Sequence, residues 1–360
     1  MQLSIPLVKR RLSPTFFRSN FITKLFNWEY WPFWAIYWPL VPYWVWLSWR
    51  CKSFFFFTAS NPGIEFGGMM GESKSKIYDL IPNQYLPVSV LIKPKTSKTE
   101  VLSLMKGLDL DFPIILKPDV GQRGWMVEKI RHEDDLGQYL KRIEVDFLMQ
   151  EFVDYPVELG VFYHRLPYES VGEVSSIVVK EMLHVVGDGQ QTIKQLIGQI
   201  PRASIQLETL RNTRPELMKQ VPIVNEKVEL VSIGNHCRGT KFLNGEDLIT
   251  PALTLAIDKL SQQIDGFYFG RFDMKCTSIA DLMKGQGIKI MELNGAGAEP
   301  AHIYHPGRSI WKGYRDIVYH LDLLADIAIV NHKMGVPYAS FWTGIDVLFK
   351  SRAYYKKHKA

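Results

Sequence analysis

Two short runs in the last third of the chain constrain it most. Phe267-Tyr-Phe-Gly-Arg-Phe-Asp-Met-Lys275 places Arg271 two residues before Asp273, and Ile288-Lys-Ile-Met-Glu-Leu-Asn294 places Glu292 two residues before Asn294. Residues two apart on a strand project from the same face. Arg271 and Asp273 therefore share one face, and Glu292 and Asn294 share another. If the runs pair as neighbouring strands, with the polar segment from Thr277 to Gly287 as their connection, all four side chains converge. Two carboxylates and an amide oxygen are hard donors of the kind that hold Mg²⁺, and a guanidinium beside them can steady a developing anion. The same spacing also describes two amphipathic strands with solvated polar faces.

The surrounding sequence predicts alternating helices and strands. Thr96 to Leu108 reads as a helix capped by Thr96 or Ser97, and Ile114 to Pro118, the loop Asp119–Gly124 and Trp125 to Ile130 read as a hairpin whose loop can fold over a ligand. A short helix (Glu133 to Ile143) and a strand ending Met149-Gln-Glu-Phe-Val153 follow. Strands are then expected at Val157–Tyr163, Glu173–Met182 and Lys227–Ile233, with a capped helix beginning at Thr192 between the last two. Thr250-Pro251 opens the clearest helix, with Leu253, Ile257, Leu260 and Ile264 on one stripe. Trp311 to Val330 reads as a final amphipathic helix. Ser53 to Ala59 reads as an aromatic strand, and Gly67 to Gly71 as a flexible surface loop rather than a phosphate cradle, because the Walker spacing is absent.

The N-terminal segment is unlike the rest. Phe26 to Trp49 holds seven of the ten tryptophans and a single charge, Glu29. It has the length of a membrane span, but Pro32, Pro39 and Pro42 interrupt it, and Trp and Tyr favour the membrane–water interface. Three readings remain: residues 26–49 lie in a membrane interface, they pack as an arm on their own protein or on a second subunit of a homodimer, or, against the three prolines, they span the membrane. With 46% hydrophobic residues, 22% charged residues and a net charge of +6, the composition is that of an ordinary globular protein. The basic ends read as solubilising or membrane-facing tails, with no nucleic-acid partner expected. Cys51, Cys237 and Cys276 show no paired or metal-type spacing, which favours a reduced cytoplasmic setting, peripheral to the inner face of the membrane if the arm is interfacial. No secretory leader is recognisable.

Arg-x-Asp, then Glu-x-Asn followed by a Gly-rich turn, a His and a Pro, resembles the metal-binding end of ATP-grasp carboxylate–amine ligases, within them D-alanine–D-alanine ligases and the grasp domain of cyanophycin synthetases. The likeness covers roughly Lys76 to Gly335. It implies an α+β fold in which two α+β subdomains grip ATP between antiparallel sheets, preceded by the extra aromatic arm. The divisions it implies are residues 1–60 for the arm, 61–153 for a pre-grasp remnant and the small subdomain, 154–335 for the large subdomain with the Mg²⁺ site, and 336–360 for a basic tail. By the same likeness Lys76 and Lys117 contact phosphates, Arg123 sits on the covering loop, and Gln150, Glu151 and Val153 form the hinge that receives adenine. Glu158 then holds the ribose, and Lys180 points toward the γ-phosphate. Asp273, Glu292 and Asn294 ligate Mg²⁺ (Mn²⁺ as the alternative), and Arg271 stabilises the tetrahedral intermediate. Val185 to Ile197 and Asn235-His-Cys-Arg-Gly-Thr240 match the cyanophycin-synthetase-like branch.

The turn after Asn294, Gly-Ala-Gly-Ala-Glu-Pro-Ala-His302, departs from the D-alanine–D-alanine ligase pattern, so D-alanine is not carried over as substrate. The implied activity is ATP-dependent joining of a small-molecule or peptide carboxylate to an amine. A kinase on the same scaffold and a non-catalytic nucleotide-binding protein are the alternatives.

Overall fold

The computed structural model describes residues 27–122, 124–204, 206–230, 234 and 239–358. The chain divides into two compact units, Met1–Pro32 with Val185–Val228, and Phe33–His184 with Glu229–Ala360.

The larger unit opens with the aromatic segment folded as helix α1 (Phe33–Tyr37), a single 3₁₀ turn (Trp38–Leu40) and helix α2 (Val41–Arg50). No helix among the described residues is long and apolar enough to cross a membrane. Ser53 to Ala59 is not a strand. Phe55, Phe56 and Phe57 are all buried, and Phe56–Ala59 coils as 3₁₀ turns.

Helix α3 (Lys74–Tyr78), strand β1 (Ser89–Ile92), helix α4 (Lys98–Gly107), strands β2 (Ile114–Pro118) and β3 (Glu128–Ile130), helix α5 (Glu133–Arg142) and strand β4 (Phe147–Glu151) follow. Ser97 caps α4 by accepting from the Glu100 N–H at 3.2 Å. The four strands form an antiparallel sheet in the order β1-β4-β2-β3. Val101 and Met105 of α4 and Leu136 and Tyr139 of α5 bury its core with Ile114, Leu116, Phe147 and Met149.

Strands β5 (Val157–His164) and β6 (Glu173–Glu181) begin a second sheet, and the chain then leaves through β7 (His184–Val186). The smaller unit holds helices α6 (Ile193–Gln199), α7 (Pro201–Ser204) and α8 (Leu207–Thr213), and β8 (Lys227–Glu229) pairs with β7. Thr192 and Gln195 form the reciprocal cap that opens α6. The expected strand over Lys227–Ile233 is described only as β8, since residues 231–233 lie outside the described residues, as does most of the Asn235–Thr240 motif.

Back in the larger unit come β9 (Lys241–Asn244), α9 (Pro251–Ser261), β10 (Phe269–Cys276), α10 (Ile279–Met283), β11 (Ile288–Asn294), α11 (Ile310–Lys333) and α12 (Phe341–His358). The helix expected to be the last, α11, is therefore followed by another of 18 residues. The second sheet is antiparallel throughout, in the order β11-β10-β5-β6-β9. Leu253, Ile257 and Leu260 of α9, with Ile264 just past its end, pack on one face of it, with Leu159, Val161, Phe272 and Met274. Strand alternation then leaves Glu158, Gly160, Arg271, Asp273 and Lys275 on the opposite face.

Candidate active site

The pairing expected between the two motif runs is present. Arg271 lies opposite Asn294 and Asp273 opposite Glu292, so the four side chains share one face. The register then skips Met291, a bulge beside the site. Asp273 is buried and heavily engaged: Arg271 Nη2 and Nε donate to its Oδ2 at 2.9 and 3.3 Å, and Asn294 Nδ2 donates to the same oxygen at 3.0 Å. Its Oδ1 makes no well-aligned hydrogen bond, although Lys180 Nζ lies 2.9 Å away. The short separation makes this an ion pair whatever its angle. Burial opposes ionisation of Asp273, yet the Arg271 and Lys180 charges outweigh it and hold the carboxyl down at about 2.

The row continues along the sheet. Lys180 Nζ also donates to Glu158 Oε1 at 3.2 Å, and Lys275 Nζ stands 3.9 Å from Glu158 Oε2 while donating to the Val153 carbonyl at 3.0 Å. Arg271, Asp273, Lys180, Glu158 and Lys275 thus alternate in sign. Burial weakens the charged form of Lys180, but Asp273 and Glu158 more than compensate and raise it. Gly160 makes room for this row: a Cβ there would sit 2.7 Å from Val178 Cγ1 and 3.3 Å from Asp273 Oδ1.

Lys117, at the end of β2, is buried with its three hydrogens given to Tyr78 Oη (2.8 Å), Gln150 Oε1 (3.0 Å) and the carbonyl of the bulged Met291 (3.0 Å). Burial pulls its pKa down to about 8 against the pull of Glu292 and Asp119. A phosphate oxygen must displace one of these acceptors to reach it. The following loop is fastened to α3: Asp119 Oδ1 accepts from the Ser75 N–H at 2.8 Å and Lys74 Nζ donates to the Gly121 carbonyl at 2.8 Å. From α12, Tyr354 donates to the Val120 carbonyl at 3.2 Å. Arg123 lies outside the described residues.

Lys76 is not part of this cluster. Its ammonium is at the surface, paired with Glu65 at 3.1 Å, and Lys74 is the lysine of that stretch that reaches the loop. At the hinge, Glu151 is tied to the residue before β1, its Oε2 accepting from the Val88 N–H at 3.1 Å. Phe152 carries Lys129 Nζ over its ring at 3.3 Å and Lys275 Nζ at 5.4 Å.

Sequence reasoning missed three contributors. Tyr78 donates to the Met291 carbonyl at 2.5 Å and accepts from Lys117 and Gln150, so it ties the two sheets' lysine and bulge together. Glu299 accepts on its carbonyl from Arg271 Nη1 at 3.0 Å, and on Oε1 from Tyr304 at 3.0 Å and from Tyr37 of the aromatic arm. The third is the Gly67–Gly71 stretch, expected at the surface. Gly67 and Gly68 are buried against the turn after Asn294, their carbonyls accepting from Ala296 and Gly297 N–H at 2.9 Å each. A Cβ at Gly68, where φ is +75°, would come within 2.8 Å of Gly295 Cα. Gly-Gly facing Gly-x-Gly was the available signal. His302 bonds Ser176 Oγ at 2.6 Å and Asp316 Oδ2 at 3.2 Å, and His305 accepts from the Asn244 N–H at 3.0 Å, so both serve structure.

Among the described residues no three His, Cys, Asp or Glu side chains converge as a metal cluster. The donor set here is instead two carboxylates and an amide, with Asp273 Oδ1 short of a hydrogen bond, which suits a hard cation.

No protein-family model matches the chain, and no curated protein does. Among solved structures it is similar to the VanG D-Ala:D-Ser ligase from Enterococcus faecalis, at 14% identity and a TM-score of 0.43 over 74% of this chain and 64% of that one. It is similar to the D-alanine–D-alanine ligase from Bacillus anthracis at 12% identity and 0.40, over 76% and 72%. A bifunctional glutathione synthetase from Pasteurella multocida matches at 12% identity and 0.35, over 68% of this chain, which spans only 35% of that protein.

Proposed function

We propose that this protein is an ATP-dependent ligase that joins a carboxylate to an amine, with residues 61–153 and 154–335 as the two subdomains that hold the nucleotide. The observation that carries the reading is the single-faced row of Arg271, Asp273, Lys180 and Glu158, charged although its side chains are at most one-fifth exposed. Perturbed titratable groups with specific charge partners cluster at functional sites, which supports the reading.

The reaction needs positioning and charge neutralisation more than a protein nucleophile. A substrate carboxylate oxygen takes the γ-phosphoryl group, releasing ADP and giving an acyl phosphate. The amine then attacks the carbonyl carbon, and the C–O bond to phosphate breaks as the amide forms. Lys117 and Lys180 would hold phosphate oxygens, Gln150, Glu151 and Val153 would line the adenine site, and Glu158 would accept from the ribose. Lys74 replaces Lys76 as the lysine beside the phosphate loop. Arg271, held beside Asp273 and the Glu299 carbonyl, would hold the oxyanion; loss of such a donor costs about 10²–10³ in rate. Asp273, Glu292 and Asn294 would hold Mg²⁺ or Mn²⁺, which supplies neutralisation of phosphate charge. Lys180 lies between Asp273 and Glu158, so contact with a phosphate would draw it from one of these carboxylates.

The test is ADP and phosphate release with Mg²⁺ across panels of amino acids and dipeptides, with mass spectrometry of products. Release that requires both an acid and an amine, with an amide appearing, is the expected result. A phosphorylated product formed without an amine would make the protein a kinase, and absence of turnover with every pair would remove the ligase reading.

A further inference from the structure

The helical arm is built with its polarity reversed. Its inward edge carries the polar anchors: Tyr37 donates to Glu299, Tyr43 donates to Asp322 Oδ1 at 2.6 Å, and Arg50 pairs with Asp326. Ile36 and Leu47 are buried beside them. Its outward edge is apolar. Trp34 (71% exposed), Trp38 (73%), Val41 (45%), Val45 (55%) and Trp49 (78%) recur every three or four residues along α1, the 3₁₀ turn and α2, so they form one stripe. A helix on a water-facing surface turns its polar side outward; this one does the opposite.

We infer that this stripe docks on the surface of an anionic phospholipid bilayer, lying in the interface without crossing it. Two observations favour lipid over a second copy of the chain. The stripe is dominated by tryptophan, whose ring is apolar and whose indole N–H needs a polar partner, a combination met at headgroup depth. The chain preceding it is cationic, with Lys9, Arg10, Arg11, Arg18 and Lys24 and no acidic residue in the first 26 positions, which complements anionic headgroups. Neither helix is long enough to span, which leaves the in-plane arrangement. Because Tyr37 on the inner edge is bonded to Glu299, docking through the outer edge would hold the candidate site next to the bilayer.

The test uses the full chain with vesicles of phosphatidylglycerol and phosphatidylcholine, against vesicles of phosphatidylcholine alone, read by co-sedimentation. Binding is expected to the anionic vesicles, to weaken as salt is raised, and to fall about tenfold or more in the Trp34→Ser/Trp38→Ser/Trp49→Ser variant. These rings are solvent-exposed, so the variant should keep its melting temperature and its ATP turnover. A second readout needs no variant: tryptophan emission should shift to the blue on vesicle addition and be quenched by brominated lipid. Unchanged binding by the variant, or no binding by the parent protein, overturns the inference. So does self-association that the variant abolishes without vesicle binding by the parent, which would assign the stripe to a second copy.

Discussion

Asn61 is fully buried and all of its amide is in use. Nδ2 donates to the carbonyls of Gly67 (3.0 Å) and Phe269 (2.8 Å), and Oδ1 accepts from the N–H groups of Tyr268 and Phe269 at 2.9 Å each. It therefore pins the glycine stretch to the start of β10, two residues before Arg271. Asn61→Ala strips four buried main-chain hydrogen bonds at once. At a net value of about 1 kcal/mol each, and more for any group that no water reaches, the loss is about 3–5 kcal/mol. Against a total stability of about 5–15 kcal/mol this is a large fraction. Large domains lose roughly 2–4 °C per kcal/mol, so the apparent melting temperature should drop by about 10 °C. Differential scanning calorimetry or a fluorescence melt reads this directly. A drop below about 3 °C, less than one such bond would give, would refute the claim that Asn61 organises this junction.

The same junction predicts that Gly68→Ala, with a Cβ 2.8 Å from Gly295 Cα and a left-handed backbone, displaces the turn after Asn294 and lowers both stability and ATP turnover. Turnover equal to the parent's would show that the turn does not position Asn294. Lys117, held down at about 8 by burial, must be charged to bind phosphate. kcat/KM for ATP should therefore fall as pH rises through that value, and Lys117→Arg, which stays charged, should remove the descending limb. The stability effect has the opposite sign: unfolding takes up a proton between about pH 8 and the ordinary lysine range, so burial of Lys117 penalises folding most below pH 8 and progressively less above it. A pH profile of activity without that limb would remove Lys117 from the phosphate site.

What was legible in the sequence is what depends on short-range periodicity. The two-residue spacing of Arg271/Asp273 and of Glu292/Asn294 placed each pair on one face of its own strand, leaving only the pairing of the strands to bring the four together, and Thr250-Pro251 and Thr192/Gln195 marked helix starts through groups that cap locally. What was illegible depends on chain segments meeting. Tyr78 looks like any apolar residue after Lys76; only the bulge at Met291 gives its hydroxyl a carbonyl to reach. Four consecutive phenylalanines suggest a strand by propensity, but Phe56–Ala59 coils as 3₁₀ turns, with Phe55, Phe56 and Phe57 buried among Leu47, Phe162, Leu324 and Ile327 of segments distant in sequence. Lys74 and Lys76 lie two residues apart on the same short helix, on roughly opposite faces, and nothing local decides which faces the loop.

The charged row on β10, β5 and β6 is a cost to the fold, and that cost can be measured. Asp273 neutralises Arg271 and Lys180 from a position where all three side chains are at least four-fifths buried. Asp273→Asn leaves two cations side by side, with Glu158 3.2 Å from Lys180 and the charges of Glu292 and Glu299 near Arg271 as the remaining counter-charges. Breaking a buried pair in this way typically costs about 3–5 kcal/mol. Adding Lys180→Met to Asp273→Asn should recover part of that loss, because the orphaned ammonium goes and an apolar side chain of similar length remains. The double variant should then be less destabilised than the sum of the single ones by about 1 kcal/mol or more. Additivity within about 0.5 kcal/mol in denaturant unfolding would mean that the three charges are solvated and do not form a network. If the coupling is found, the reverse substitution argument follows: a hydrophobic triad of the same volume would fold at least as well, so stability alone does not account for five alternating charges on this face. A ligand that carries several charges of its own, as the proposed function requires, would.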